Sequence, residues 1–74
     1  MPHLNAVYRR TSSGQHAAIN RPDLLPEAPR RVLLLLNGIT PLDALLTHGA
    51  PLPQPEAALQ WLLDRGLAEL VQQA

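Results

Sequence analysis

The chain has 74 residues, a net charge of zero and 46% hydrophobic residues, with no cysteine, no phenylalanine, one Trp and one Tyr. The lack of cysteine excludes disulfides and thiolate metal sites, and the apolar fraction is too high for general disorder. No stretch approaches the ~20 apolar residues of a membrane span, and the first residues lack the apolar segment of a secretion signal. We therefore expect one small domain, residues 1–74, in the cytoplasm of a bacterium.

The N-terminal part, residues 1–28, is predicted to contain a strand and a connector. Val7 and Tyr8 are residue types that favour a strand, which we place within residues 4–10. A turn or helix cap follows the strand. One or two helical turns are expected over residues 15–20, before a proline-rich connector.

The apolar run that ends at Leu36 is predicted to form the first core helix, starting at Pro29 or Arg30. Proline fits the first turn of a helix, where its missing N–H costs nothing. Asn37 and Gly38 then form a helix stop. Because consecutive leucines cover nearly every face, we expect this helix to be buried on most sides.

A capping pattern predicts a second, short helix. Thr40 is expected to be the N-cap, with Pro41 at the first helical position and Asp43 at the third, where its charge also favours the helix dipole. Gly49 is expected to end this helix. Three leucines at i, i+3 and i+4 spacing predict its buried stripe: Leu42, Leu45 and Leu46.

A third helix is predicted from Pro55 to Arg65. Gly66 suits the left-handed position after a helix, and Leu67 can then pack back on the last turn in a Schellman motif. The buried stripe of this helix is predicted to contain Ala58, Leu59, Leu62 and Leu63.

The C-terminal segment from Leu67 to Val71 is predicted to be a short strand. We expect it to pair with the N-terminal strand, Ala6 to Arg10, because either strand alone would expose both of its edges. The predicted fold class is therefore mostly α with a small β element (α+β). Its three-helix core covers residues 29–71.

Residues 30–71 resemble the winged-helix (winged helix-turn-helix) superfamily, in particular small bacterial members. Three segments carry the resemblance, together with a Tyr-x-x-Thr-x-x-Gly element at Tyr8: Arg31 to Thr40, Leu42 to Leu46, and Ala58 to Glu69. The resemblance implies a winged-helix-like fold in which the N-terminal strand replaces a missing wing strand. The superfamily includes both DNA-binding regulators and protein-interaction modules, so two functions stay open.

The function we prefer is a non-enzymatic protein-interaction or regulatory module. Trp61 lies off the leucine stripe of its helix, so with Gln60 and Ala57 it could anchor a protein partner or a homodimer. A homodimer through the N-terminal strand is a second option. Against this, a large aromatic side chain is more often buried, here beneath the N-terminal strand and the connector.

The alternative function is DNA binding through the helix-turn-helix. Affinity for DNA depends on basic contacts to phosphate, yet the third helix carries Glu56 and Asp64 and only one adjacent cation. Nucleic-acid contacts would therefore depend on five arginines: Arg9, Arg10, Arg30, Arg31 and Arg65.

Catalysis, metal binding and cofactor binding are not expected. His3, His16 and His48 are scattered without metal-ligand spacing, and His48 is better placed to cap the second helix. Ser12 and Ser13 lack a nearby base motif, although His16 follows them. Each of the four glycines is expected to serve a turn or a cap.

Overall fold

The computed structural model describes residues 2–47, 49 and 51–72. The predicted capping role of His48 lies outside these residues. The elements in chain order are β1 (Val7–Arg10), α1 (Ser12–Asn20), a 3₁₀ turn (Pro22–Leu24), α2 (Glu27–Leu35), α3 (Leu42–Leu46), α4 (Pro55–Asp64) and β2 (Ala68–Gln72). Four helices with a two-stranded sheet confirm the predicted α+β class.

The two strands pair with each other, as the sequence predicts. β1 and β2 are antiparallel, with Tyr8 opposite Leu70 and Arg10 opposite Ala68. Val7 lies opposite Gln72, so Val71 is the extra residue of a bulge.

The second edge of β1 is covered by the segment that precedes α3. The Gly38 N–H donates to the Tyr8 carbonyl over 3.0 Å, and the Leu42 N–H donates to the Ala6 carbonyl over 3.2 Å. Pro41 forms an isolated bridge with Val7. β1 therefore lies between β2 and residues 38–43, and both of its edges are occupied.

One hydrophobic core draws on both predicted parts of the chain. The buried residues come from the N-terminal segment, the helices and β2: Ala6, Tyr8, Leu25, Val32, Leu33, Leu36, Leu42, Ala58, Leu59, Leu62 and Ala68. Residues 1–28 are therefore a structural part of the domain that contains residues 29–71.

The prediction for α4 is confirmed to within one residue. The helix begins at Pro55 and ends at Asp64. Gly66 has φ +68°, and its N–H donates to the Leu63 carbonyl while the Leu67 N–H donates to the Leu62 carbonyl. This is the Schellman pattern. Of the predicted stripe, Ala58, Leu59 and Leu62 are buried and Leu63 is partly buried.

The predicted burial of the leucine-rich helix is confirmed for Val32, Leu33 and Leu36 but not for Leu34. α2 begins at Glu27 and ends at Leu35, with Pro29 tolerated in the first turn. Leu33 is fully buried, but the side chain of Leu34 is 57% exposed. α2 packs against α4 and α1, and Leu34 lies on a side of the helix that neither of them covers.

The predicted N-cap of α3 is also wrong. The structure places Pro41 at the cap position, and no side chain caps this helix end. The Asn37 side chain instead orders the approach: its Oδ1 accepts from the N–H groups of Ile39 and Thr40, both over 2.9 Å. α3 ends at Leu46, three residues before Gly49, and only Leu42 of its stripe is fully buried.

α1 is longer than predicted because Thr11 caps it. The Thr11 hydroxyl accepts from the Gly14 N–H over 3.0 Å and donates to the Gly66 carbonyl over 2.6 Å. Gly14 therefore lies inside a helix and is not a turn residue. It is buried against the backbone of Leu67, where a Cβ would lie 1.9 Å from the carbonyl oxygen. The predicted proline-rich connector also contains regular structure, the 3₁₀ turn Pro22–Leu24.

Candidate interaction surfaces

Trp61 is partly buried on the outer side of α4. It borders a shallow depression of about 250 Å³, the Trp61 depression, whose lining residues are Pro26, Ala28, Pro29, Pro53, Gln54, Ala57, Ala58 and Trp61. The Arg65 guanidinium lies 3.8 Å from the centre of the indole ring, within cation–π range. The ring thus lies beside the connector and the start of α2, as the burial alternative predicts for the connector, but no residue of β1 lines the depression.

Of the two residues predicted to bind a partner together with Trp61, only one lines the Trp61 depression. Ala57 lines the same depression. Gln60 instead donates from its side-chain amide to the Asp64 carboxylate over 2.6 Å along the helix surface. The structure therefore brings Trp61 and Ala57 together and directs Gln60 to Asp64.

The five arginines are distributed over three elements. Arg9 and Arg10 lie on β1, Arg30 and Arg31 lie on α2, and Arg65 follows α4. Arg9 forms an ion pair with Glu69 of β2, and Arg65 stacks on Trp61. α2, which carries Arg30 and Arg31, packs on α4, which ends just before Arg65. Arg9 and Arg10 lie on β1, which packs on β2 and α1.

A second apolar surface lies between α2, α3 and the loop that follows α3. This leucine cleft has a volume of about 260 Å³ and is lined by Arg31, Leu34, Leu35, Leu46, Gly49 and Leu52. Among the described residues that line it, Arg31 is the only charged one, and its guanidinium donates to the Pro51 carbonyl over 3.4 Å. The described lining is therefore mostly apolar.

Sequence reasoning missed the leucine cleft because it assigned these leucines to the core. A run without polar residues contains no periodicity that distinguishes a buried face from an exposed one. The proline and glycine content of residues 49–53 was a signal for a loop, but it did not place Leu52 opposite Leu34 and Leu46.

The remaining titratable groups form no reactive cluster in the part of the chain that the structure describes. There, no group of three His, Cys, Asp or Glu side chains converges in a metal-binding arrangement. His16 Nδ1 lies 3.1 Å from the Asn20 amide on the exposed side of α1, without a contact to Ser12 or Ser13. No helix in the described ranges is both long and apolar enough to cross a membrane.

Tyr8 is a buried tyrosine of β1 whose pKa is shifted by its surroundings. Burial disfavours its charged form and raises the pKa of its hydroxyl above 10.0. The hydroxyl donates to the His3 carbonyl over 2.9 Å, which fixes the N-terminal residues on the core. The burial of the ring and this hydrogen bond support a structural role for Tyr8.

Comparisons with known proteins give no relative for this chain: no family model matches it, and neither a curated protein nor a solved structure does.

Proposed function

We propose that this chain is a non-enzymatic protein-interaction module that acts as a regulatory component in the cytoplasm. The observation that carries the proposal is the leucine cleft with Leu34, 57% exposed, at its border. Apolar side chains that a monomer leaves exposed around a cleft mark a surface that a partner covers.

We also infer a winged-helix-like arrangement of α2, α3 and α4, with β1 pairing β2 in place of a wing strand. The order of the elements and this pairing support that arrangement.

The occupant that we propose for the leucine cleft is an amphipathic helix of another protein. Two walls of the cleft are helices, α2 and α3, and most of its lining side chains are leucines. No strand in the described part of the chain borders the cleft, so a partner cannot bind there by adding a strand to a sheet. Such grooves bind helices whose apolar anchors recur at i, i+3 and i+4.

A protein partner agrees better with the charge distribution than DNA does. The outward face of α4 carries Glu56 and Asp64, which would repel phosphate. Arg9 and Arg65 already contact Glu69 and Trp61. DNA binding is therefore the competing hypothesis, and the experiments below include a titration with DNA that can support it.

The test compares the wild type with Leu34→Glu and with a matched control, Ile19→Glu, whose side chain is 64% exposed on α1. Proteins retained from a bacterial lysate by the wild type and by Ile19→Glu, but not by Leu34→Glu, are purified. Their affinity is then measured by calorimetry. We expect 1:1 binding that Leu34→Glu weakens at least tenfold.

Two results would overturn the proposal. One is a purified partner that binds Leu34→Glu as tightly as it binds the wild type. The other is a titration with duplex DNA at low salt in which salt-sensitive amide shifts map to α4 and the arginines, which would establish the DNA-binding alternative.

A further inference from the structure

The outer edge of β2 is open. β1 occupies one edge of β2, and no group within residues 2–47, 49 and 51–72 forms a hydrogen bond with the other edge. β1 differs in this respect, since residues 38–43 cover its second edge. β2 is thus the strand of this sheet that can accept a further strand.

Leu70 presents its backbone to this open edge. In an antiparallel pair, positions that bond across the ladder alternate with positions that point away. The Thr11 N–H donates to the Leu67 carbonyl, which makes Arg9–Glu69 the next bonded pair. Leu70 is one position further along, so its N–H and C=O groups point away from β1, toward the open edge. The residue itself is 48% exposed, and the next residue, Val71, is 43% exposed.

β2 has only some of the usual protections of an edge strand. Natural edges are blunted by short length, bulges, lysine, proline or an inward charge. β2 is short and has a bulge, but its sequence, Ala-Glu-Leu-Val-Gln, contains no lysine and no proline. Its only charged residue, Glu69, is neutralised by the ion pair with Arg9. The bulge at Val71 follows Leu70 and therefore limits the length of a new ladder without blocking its centre.

We propose that β2 pairs with β2 of a second copy of this chain, antiparallel and centred on Leu70. This pairing gives a sheet of four strands in the order β1–β2–β2–β1. With Leu70 opposite Leu70 of the second copy, Glu69 lies opposite Val71 of that copy. The sequence of β2 therefore opposes no two like charges, which would destabilise directly facing positions.

The same geometry stops the assembly at two copies. The interface uses one patch on both chains around a two-fold axis, and the outer edges of the new sheet belong to β1, where residues 38–43 cover them. The short ladder predicts a weak dimer, because interfaces below ~1,200 Å² are typical of transient association. The interface does not use the leucine cleft, so it is independent of the proposed function.

The test uses the proposed register, in which Leu70 lies directly opposite Leu70 of the second copy. Sedimentation of the chain alone is measured from micromolar to millimolar concentration for the wild type, Leu70→Lys and Leu70→Glu, with Ile19→Lys and Ile19→Glu as matched controls. We expect a concentration-dependent dimer for the wild type and for both Ile19 variants. Each Leu70 variant should be monomeric, because like charges then face each other, and an equimolar mixture of the two should recover the dimer.

The proposal is overturned if the wild type stays monomeric at millimolar concentration, if its mass grows beyond a dimer, or if both Leu70 variants still dimerise. A mixture that stays monomeric overturns the register. The amide spectrum of each variant checks that it is folded. Hydrogen exchange of the Leu70 amide in the wild type provides a test without substitution, since pairing should slow it at high concentration.

Discussion

At the scale of single residues, Gly14 has the most restricted environment. It lies in α1 where a Cβ would be 1.9 Å from the Leu67 carbonyl oxygen and 2.9 Å from its carbonyl carbon. We expect Gly14→Ala to lower the free energy of unfolding by about 1–3 kcal/mol, because backbone atoms would have to move. Helix propensity alone would favour alanine by about 1 kcal/mol, so the sign of the change identifies the contact.

The matched control for Gly14 is Gly49→Ala. A Cβ at Gly49 meets no atom within 4 Å, so we expect a change within about 0.5 kcal/mol. Urea denaturation followed by Trp61 fluorescence measures both variants. Equal stabilities for the two alanine variants would contradict the close approach of α1 to residue 67.

The shifted pKa of Tyr8 predicts how the free energy of unfolding changes at alkaline pH. Burial raises the pKa of its hydroxyl above 10.0, so the folded chain holds this proton more tightly than the unfolded chain does. The contribution to stability is complete below pH 10.0 and is lost as pH rises through the folded pKa. The chain contains no lysine or cysteine, so no other side chain titrates in this range.

The measurement for Tyr8 is the free energy of unfolding between neutral and strongly alkaline pH. The wild type should lose stability above pH 10.0, whereas Tyr8→Phe should show no such decline. At neutral pH, Tyr8→Phe should cost about 1 kcal/mol through loss of the hydrogen bond to His3. A parallel decline in both proteins would assign the alkaline effect to another group.

At the scale of elements, the sequence predicted best where local signals decide the structure. The bounds of α4 follow from Pro55 and Gly66, whose backbone preferences act within a few residues. The N-cap of α3 was misplaced because the N–H groups of Leu42 and Asp43, which a Thr40 cap would use, donate instead to the carbonyls of Ala6 and Leu4. Acceptors so far away along the chain cannot be inferred from local propensities.

Adjacent leucines of α2 test which face of this helix is buried. Leu33 is fully buried, whereas Leu34 is 57% exposed. We expect Leu33→Ala to lower the free energy of unfolding by about 2–5 kcal/mol. We expect Leu34→Ala to change it by less than about 0.5 kcal/mol. Denaturant unfolding of the two variants would contradict the structure if their losses were similar.

At the scale of the whole molecule, the candidate surfaces could be predicted only in part. Trp61 and Ala57 share a surface because residues four apart lie on one side of a helix, which the sequence shows directly. The leucine cleft required the positions of α2, α3 and Leu52 relative to one another, which no local pattern contains. The predicted pairing of two strands already implies an open edge on β2, but only the structure shows that residues 38–43 cover the second edge of β1.

The shared core predicts that residues 29–74 cannot fold without residues 1–28. Ala6, Tyr8 and Leu25 are core residues, and β1 supplies the only strand that pairs with β2 among the described residues. A fragment of residues 29–74 should therefore give an amide spectrum with little dispersion and no cooperative thermal transition, whereas the full chain should give both. Because a domain of this size has little stability to spare, a partial core is insufficient.

Addition of a peptide of residues 1–28 should restore the folded spectrum of the fragment. The restored state requires Tyr8 to enter the core and β1 to pair with β2, so a peptide with Tyr8→Ala should fail at the same concentration. A fragment that folds cooperatively alone would show that residues 29–71 are an autonomous unit. In that case the N-terminal strand would be an accessory to the domain, and the edge of β2 would be open on both sides.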